Sequence, residues 1–293
     1  MFYKRSEPSL PSPVGSYAVD RDAAWSETDL AEYFGSWWGA EATTQEFRAA
    51  LAMNRPVHIK NFLQPGFAAD LHRELYNASD TPAFQRFEMA VKNYQFRYSA
   101  QYAGPQAGSD TDAFPSLPLG TRFLRALDSA PVKRWVEQVA NCKISGRTIA
   151  GATYFQPGDH CGLHTDVGGG RVAGVKRRVT FVFHLAKDWQ PANGGDLVFA
   201  SPTSFVAASY NSMTIFAVTK AAWHLVTPVW DKTPPDQKRL SIGGWWVSDD
   251  SAEATRLEQQ FDDRKQAIRH ISVINGTTGQ KLLVANRSIQ PIE

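Results

Sequence analysis

Two histidines and one aspartate are the side chains of this sequence best suited to hold a metal ion. His164 and Asp166 end the segment YFQPGDHCGLHTD, and His224 follows far along the chain in AAWHLVTPV. If the first segment is a strand, residues two apart share a face, so the imidazole and the carboxylate project into one space. Two imidazoles and a carboxylate suit iron(II) or zinc and leave other coordination positions open. We therefore predict a metal site at these three residues.

A basic residue later in the chain adds a second binding function. Arg239 and Ser241 lie two positions apart in the segment KRLSIGGWW, and on a strand they would share a face. An arginine presents a rigid fork of N–H donors that matches a carboxylate. Beside a metal, this pair suits the far carboxylate of a 2-oxo diacid whose near end chelates the ion. The pair therefore favours a cosubstrate site over a plain zinc site.

The elements that must position these residues change in type near Arg147. Before it, apolar residues recur at helical spacing; after it, short β-type runs alternate with turns that contain Gly and Pro. The early elements are helices at Thr43–Met53, Pro65–Asn77 and Pro131–Ala140, a short strand at Pro56–Phe62, an extended segment at Glu88–Tyr102 and a loop at Ala103–Gly120.

Eight β-type runs follow within about a hundred residues, which favours a sandwich or a barrel. Eight strands in two sheets form a jelly roll, the arrangement that also describes cupins. The runs are Thr148–Phe155, Gly162–Asp166, Arg178–Leu185, Asp196–Ala200, Phe205–Tyr210, Met213–Val218, His224–Val229 and Lys238–Trp246.

We predict one domain over residues 1–293, mainly β with flanking helices. Its parts are a flexible lead-in at 1–16, a helical and mixed support region at 17–147, a jelly-roll catalytic core at 148–248, and a C-terminal helix and tail at 249–293. The helix is expected from Ala252 to Ile268, and the tail Asn275–Glu293 is weakly patterned.

Composition excludes several classes of protein. The apolar fraction of 43% is enough for a sizeable core, and a net charge of +2 gives no reason to expect nucleic acid as a partner. Two cysteines, Cys142 and Cys161, are too few for a disulfide framework. The first residues lack the apolar run of a signal peptide, and no stretch is long and apolar enough for a membrane span. We therefore expect a cytoplasmic protein that does not bind membranes.

The residues named above resemble the iron(II)- and 2-oxoglutarate-dependent oxygenase superfamily, above all its prolyl 4-hydroxylase-like branch. The matching features are the H-T-D of His164 and Asp166, the distal His224, the R-L-S of Arg239 and Ser241, Tyr154 ahead of a P-G-D turn, and the segments RRVTFVFHL, GGDL and PVHIKNFLQPGFAADLHREL. The basic residue is Arg, whereas animal prolyl hydroxylases often have Lys there. The resemblance therefore does not point to collagen-type substrates.

The resemblance implies a distorted double-stranded β-helix and an enzyme that uses iron(II), 2-oxoglutarate and dioxygen, with ascorbate as a reductant. His164, Asp166 and His224 would bind the iron. Arg239 and Ser241 would hold the C5 carboxylate of 2-oxoglutarate, which the hydroxyl of Tyr154 would also contact.

The reaction implied is hydroxylation of an unactivated C–H bond in an amino acid, a peptidyl residue or a small natural product, with succinate and carbon dioxide as co-products. Three alternatives stay open. The same iron site could desaturate or cyclise its substrate, the chain could be a zinc-dependent cupin-like enzyme, or it could be a non-catalytic jelly-roll binding module.

Four residues are candidates for contact with the small-molecule or peptide substrate. Arg97 and Tyr98 lie in an aromatic segment, Trp223 precedes a predicted metal ligand, and Arg171 lies in the glycine-rich segment GGGRVAG. Each also fits a plain role, as a core aromatic or as a solvated charge.

Overall fold

Five helices lie in the first half of the chain, in this computed structural model. It describes residues 25–91, 94–103, 113–167, 175–200, 203–249, 270–274, 281–285 and 288–291. The helices are α1 (Glu27–Ala31), α2 (Glu41–Ala52), α3 (Pro65–Ala78), α4 (Pro118–Asp128) and α5 (Ala130–Ala140). The three predicted helices are confirmed as α2, α3 and α5. The predicted lead-in 1–16 and helix Ala252–Ile268 lie outside the described residues.

The prediction of a loop throughout Ala103–Gly120 is wrong at its end, because α4 begins at Pro118. Proline suits the first helical turn, where its missing N–H has no partner to lose. The Glu74 carboxylate accepts hydrogen bonds from the backbone N–H groups of Leu119 and Gly120, at 2.9 Å each. Because the capping carboxylate belongs to another helix, the local sequence around α4 does not predict this cap.

Eleven antiparallel strands form one sheet that curls into a nearly closed barrel, the double-stranded β-helix that the sequence predicted. Its order is β1-β9-β6-β11-β4-β3-β5-β10-β7-β8, and β2 pairs with β3. The strands are β1 (Val57–Lys60), β2 (Gln85–Val91), β3 (Tyr94–Ala103), β4 (Ile149–Phe155), β5 (His160–His164), β6 (Val175–Leu185), β7 (Leu197–Ala200), β8 (Thr203–Val206), β9 (Tyr210–Ala217), β10 (His224–Val226) and β11 (Arg239–Asp249).

The sheet differs from the predicted set of eight strands in three ways. Strands β1, β2 and β3 come from the N-terminal half, and β3 lies between β4 and β5. The run Phe205–Tyr210 is not one strand, because β8 ends at Val206 and β9 begins at Tyr210. The tail is more regular than predicted: β12 (His270–Ile274), β13 (Lys281–Ala285) and β14 (Ser288–Pro291) form a separate three-stranded sheet.

The main apolar core lies between the helices and one face of the large sheet. Phe181 and Phe183 of β6 and Trp246 of β11 pack there with Leu71 of α3 and Val136 of α5, and all five are fully buried. Because side chains alternate along a strand, Trp245, which precedes Trp246 on β11, faces the inside of the barrel. The helices therefore pack against one face of β11, and the opposite face points toward the site.

Candidate metal centre and cosubstrate cavity

The two histidines of the predicted metal site meet across a pair of antiparallel strands. His164 is the last residue of β5 and His224 is the first of β10, and they are direct register partners. Their ring centroids lie 4.2 Å apart. Asp166 lies beyond the end of β5, so the prediction of a strand through Asp166 is wrong.

The carboxylate nevertheless reaches both rings. His164 Nε2 lies 3.7 Å from Asp166 Oδ1, and His224 Nε2 lies 3.8 Å from Asp166 Oδ2. One potential ligand atom from each residue falls within 4.8 Å of the other two. The structure thus brings together the three residues that the sequence singled out.

Each of the three side chains is oriented by a hydrogen bond to a residue outside the group. His164 Nδ1 bonds the carbonyl of Gly162 at 2.7 Å, and His224 Nδ1 bonds the carbonyl of Ala222 at 3.0 Å. A ring nitrogen facing a carbonyl must carry the hydrogen, which leaves Nε2 of the neutral ring as the metal-binding atom. The Thr180 hydroxyl donates to Asp166 Oδ2 at 2.6 Å.

Burial and mutual charge set the ionisation of the three groups. Burial lowers the pKa of His224, as does the charge of His164, and brings it to about 4. Burial also opposes the charged form of His164, but Cys161 and Asp166 raise its pKa to about 9. Burial opposes the Asp166 carboxylate too, yet the two histidines and the Thr180 hydroxyl lower its pKa below the ordinary value. A buried anion beside two imidazoles favours a cation between them.

The three residues open into a cavity of about 470 Å³ inside the barrel. Alternate residues of β11 form one wall, running from Arg239 through Ser241 and Gly243 to Trp245. Ser241 Oγ lies 2.6 Å from Thr153 Oγ1 on the adjacent strand β4. Thr153 also lines the cavity, although sequence reasoning missed it. Because side chains alternate along a strand, the period of two within β4 could have identified Thr153 as a lining residue.

Arg239 is 2% exposed and only partly satisfied. Its Nε donates to the carbonyl of Gly195 and its Nη1 to Ser241 Oγ at 3.4 Å, whereas Nη2 is buried without a hydrogen-bond partner among the described residues. Burial lowers the pKa of Arg239 to about 10, against the opposing charge of Asp196, so it stays cationic at neutral pH. A buried donor without a partner is costly, and an incoming carboxylate would satisfy it.

The residues of the cavity suit both groups that the sequence implied, a metal ion and 2-oxoglutarate. The His164, Asp166 and His224 donors suit a divalent transition metal, and the unsatisfied Arg239 donor in the same cavity suits the distal carboxylate of a 2-oxo diacid. The three metal-binding side chains fit the ion, and Nη2 of Arg239 fits the carboxylate.

Tyr154 is not brought into the cavity. On β4, Gly151, Thr153 and Phe155 line the cavity, so the side chain between the last two points to the opposite face. There Tyr154 packs against the main core, with its ring 5.4 Å from Lys238 Nζ. The cosubstrate contact inferred for Tyr154 has no geometric support in this structure.

The four candidate substrate residues differ in whether they line the cavity. Tyr98 lines the cavity, and its hydroxyl lies 2.9 Å from that of Tyr102, a second lining residue of the same aromatic segment. Arg97 is not a lining residue, and its Nε donates to the buried Asp159 carboxylate at 3.1 Å. Trp223 packs in a small apolar cluster and is not a lining residue. Arg171 and the segment Gly168–Gly174 lie outside the described residues.

Cys161 and Arg177 also line the cavity, and sequence reasoning assigned neither of them to the site. Cys161 is the second residue of β5, with Sγ 3.9 Å from His164 Nδ1. Arg177 of β6 places its guanidinium carbon 3.6 Å from the ring centroid of Trp245. The cavity therefore holds a second arginine besides Arg239.

Comparison with known proteins gives one family match and several structures of similar fold. Residues 150–247 match the model of a family described as the 2OG-Fe(II) oxygenase superfamily. A prolyl-4-hydroxylase from Pseudomonas putida is 18% identical, with a TM-score of 0.51 over 68% of this chain and 97% of its own. A prolyl hydroxylase from Trichoplax adhaerens, solved in complex with a hypoxia inducible factor peptide, is 15% identical, with a TM-score of 0.53 over 72% of this chain and 95% of its own.

A further structure, an oxidoreductase of the 2OG-Fe(II) oxygenase family from Burkholderia pseudomallei, is 16% identical, with a TM-score of 0.53 over 71% of this chain and 92% of its own. At these identities the likeness concerns the fold. No curated protein matches this chain. Among the helices that the structure describes, none has the length and apolar character needed to cross a membrane.

Proposed function

We propose that this chain hydroxylates an unactivated C–H bond, because residues 150–247 match the model of the 2OG-Fe(II) oxygenase superfamily, whose members use iron(II), 2-oxoglutarate and dioxygen. Its substrate would be an amino acid, a peptidyl residue or a small natural product. The single observation that carries the proposal is that one cavity holds both the His164, Asp166 and His224 group and the buried Nη2 of Arg239, for which the described residues offer no hydrogen-bond partner.

The roles of the protein residues follow from their geometry. His164 and His224 would bind the metal through Nε2, since Nδ1 of each faces a carbonyl, and Asp166 would supply the third ligand. Arg239 would hold the distal carboxylate of 2-oxoglutarate, with Ser241 beside it. When bound, iron(II) would activate dioxygen, and 2-oxoglutarate would supply two of the four electrons that reduce it, leaving as succinate and carbon dioxide; the substrate C–H bond would supply the other two. The apolar lining residues Leu197 and Val226 would exclude water from the reacting groups.

The test is succinate formation by purified protein with iron(II), ascorbate and labelled 2-oxoglutarate. We expect His164→Ala to abolish succinate formation. His160→Ala is the matched control, since His160 begins the same strand and is not a cavity-lining residue. Activity that depends on zinc, or equal turnover in the His164 variant and the control, would contradict the proposal.

A second arm tests the arginine. Arg239→Ala should raise the KM for 2-oxoglutarate by about 10-fold or more, because it removes a charge-assisted pair with a carboxylate. The concentration of iron(II) needed for half-maximal activity should change little, since Arg239 is not among the metal-binding group. An unchanged KM for 2-oxoglutarate would show that the cosubstrate binds elsewhere.

A further inference from the structure

Trp245 lies beside a residue that already contacts the candidate metal ligand Asp166. Trp245 of β11 and Thr180 of β6 are register partners, and both side chains line the cavity. The Thr180 hydroxyl donates to Asp166 Oδ2 at 2.6 Å. Register partners on one face of a sheet have their Cβ atoms about 5 Å apart, so the indole of Trp245 lies within reach of the same carboxylate.

The indole N–H of Trp245 is a buried donor that still needs an acceptor. Its Nε1 has no hydrogen-bond partner of normal geometry among the described residues. A buried donor in this state is costly, and a tryptophan N–H usually finds a partner when it is buried. A small change of orientation that supplies an acceptor would therefore be favourable.

Asp166 is the acceptor that fits this donor. Among the described residues that line the cavity, it is the one with a carboxylate. Burial opposes the charge of this carboxylate, and the N–H of Trp245 lowers its pKa together with the two histidines and the Thr180 hydroxyl. The N–H therefore lies near Asp166 already, although it makes no hydrogen bond of normal geometry to it.

The carboxylate has acceptor positions to spare. Its two oxygens offer about four lone-pair directions. Thr180 takes one of these at Oδ2, and a metal ion at the His164, Asp166 and His224 group would take another. A second donor can therefore join Thr180 without competing with the ion.

The ring of Trp245 is held by another cavity residue. The guanidinium carbon of Arg177 lies 3.6 Å from the centroid of the Trp245 ring, so the cation covers one face of the indole. The N–H lies in the plane of the ring, so this contact at the face leaves it able to donate at the edge.

We propose that Trp245 is a positioning residue of the metal centre. Its Nε1–H donates to the Asp166 carboxylate when a metal ion is bound and, together with the Thr180 hydroxyl, fixes the orientation of that ligand. The inference rests on the proposed function only through the assignment of His164, Asp166 and His224 as metal ligands. Donors that orient a metal ligand in this way raise the affinity for the metal.

The first experiment measures metal affinity and needs no turnover. Mn(II) is titrated into the metal-free protein under nitrogen, and free Mn(II) is followed by its EPR signal. Trp245→Phe keeps a ring for Arg177 to pack against and removes the N–H, so it should weaken Mn(II) binding by about 10-fold. Trp38→Phe is the matched control, because Trp38 packs against the main core and does not line the cavity. Its affinity should equal that of the parent.

A double-mutant cycle tests whether the two donors act on one carboxylate. Thr180→Val should also weaken Mn(II) binding, and Thr180→Ser should restore most of that loss because it keeps the hydroxyl. The double variant with Trp245→Phe and Thr180→Val should lose less than the product of the two single losses, since the first substitution already lets the carboxylate turn.

The hydrogen bond itself is observed by NMR of protein labelled with nitrogen-15 at the indole nitrogens, with Zn(II) as a diamagnetic ion. The chain has nine tryptophans, and the indole resonance that is absent from Trp245→Phe belongs to Trp245. On Zn(II) binding this resonance should move downfield and exchange more slowly with solvent, because its proton becomes hydrogen-bonded. The indole resonance of Trp38 should not move.

The contrary results separate this inference from the proposed function. Unchanged Mn(II) affinity in Trp245→Phe, single losses that multiply in the double variant, or a Trp245 indole resonance that Zn(II) leaves unmoved would overturn the positioning role alone. A fall in the Tm of metal-free Trp245→Phe that exceeds the fall in Trp38→Phe would also overturn it, because the ring would then be structural. Failure of the parent protein to bind Mn(II) would overturn the proposed function, and this inference with it.

Discussion

His164 and His224 face each other as register partners at the ends of β5 and β10, with ring centroids 4.2 Å apart. Two imidazoles at this distance, with Asp166 beside both, leave a buried space that favours a cation. Both rings cannot be cationic together at this distance, because burial and the charge of His164 lower the pKa of His224 to about 4. The pairing of two short strands therefore sets the chemistry of the site.

Metal binding should stabilise the folded chain measurably. We expect Mn(II) or iron(II) to raise the Tm of the parent protein, because the metal binds only the folded arrangement, and EDTA to reverse the rise. In His224→Ala the rise should be lost, while His160→Ala should keep it. Differential scanning calorimetry under nitrogen is the measurement. A metal-induced rise of equal size in His224→Ala would place the ion elsewhere.

The two hydroxyls assigned to the 2-oxoglutarate pocket by sequence reasoning should behave differently. Ser241→Ala should raise the KM for 2-oxoglutarate by several-fold, because Ser241 lies in the cavity and accepts from Arg239 Nη1. Tyr154→Phe should leave that KM unchanged, because Tyr154 lies on the other face of β4. Steady-state succinate kinetics measure both. A several-fold rise of this KM in Tyr154→Phe would mean that 2-oxoglutarate contacts Tyr154 in the loaded enzyme.

The hairpin that carries the cavity tyrosines should depend on one buried carboxylate. Asp159 is fully buried and accepts from Arg86 of β2, Arg97 of β3 and the backbone N–H of Gln156. Asp159→Asn should lower the free energy of unfolding by about 2 kcal/mol or more, since it leaves two guanidiniums without their acceptor charge.

Urea denaturation is the measurement for this change. Asp70→Asn serves as its control, since the Asp70–Arg73 pair is at the surface and should contribute less than about 1 kcal/mol. A loss of equal size in the two variants would show that Asp159 is not a special anchor of β2 and β3.

The pH dependence of stability should carry a signature of Asp196. Burial raises its pKa from 3.8 to about 6, against the hydrogen bond from the Ala208 N–H and the charge of Arg239. Between these two values the folded chain holds a proton that the unfolded chain has released. Its contribution is therefore fully present below about pH 4 and is lost as the pH rises through about 6.

The comparison is between the parent protein and Asp196→Asn. Relative to this variant, the parent should lose roughly 2–3 kcal/mol of unfolding free energy from pH 4 to pH 7, because Asn does not ionise. Urea denaturation at a series of pH values measures the difference. A difference that stays constant over this range would mean that Asp196 ionises at its ordinary pKa when the protein is folded.

The sequence by itself determined the type of chemistry and the general architecture. Spacing by two placed Arg239 beside Ser241 on one strand, and short β-type runs gave the barrel, because both depend on the local period of a strand. The residue types of His164, Asp166 and His224 indicated a metal site before any fold was known.

Tertiary structure decided which faces and which distant strands meet in the cavity. Tyr154 turned away from it and Thr153 turned into it because the pairing of β4 with β11 sets which face is inside. Tyr102 and Arg177 joined it because β3 is inserted between β4 and β5 and because β6 pairs with β11. Long-range strand pairing sets these contacts, and local spacing does not encode it.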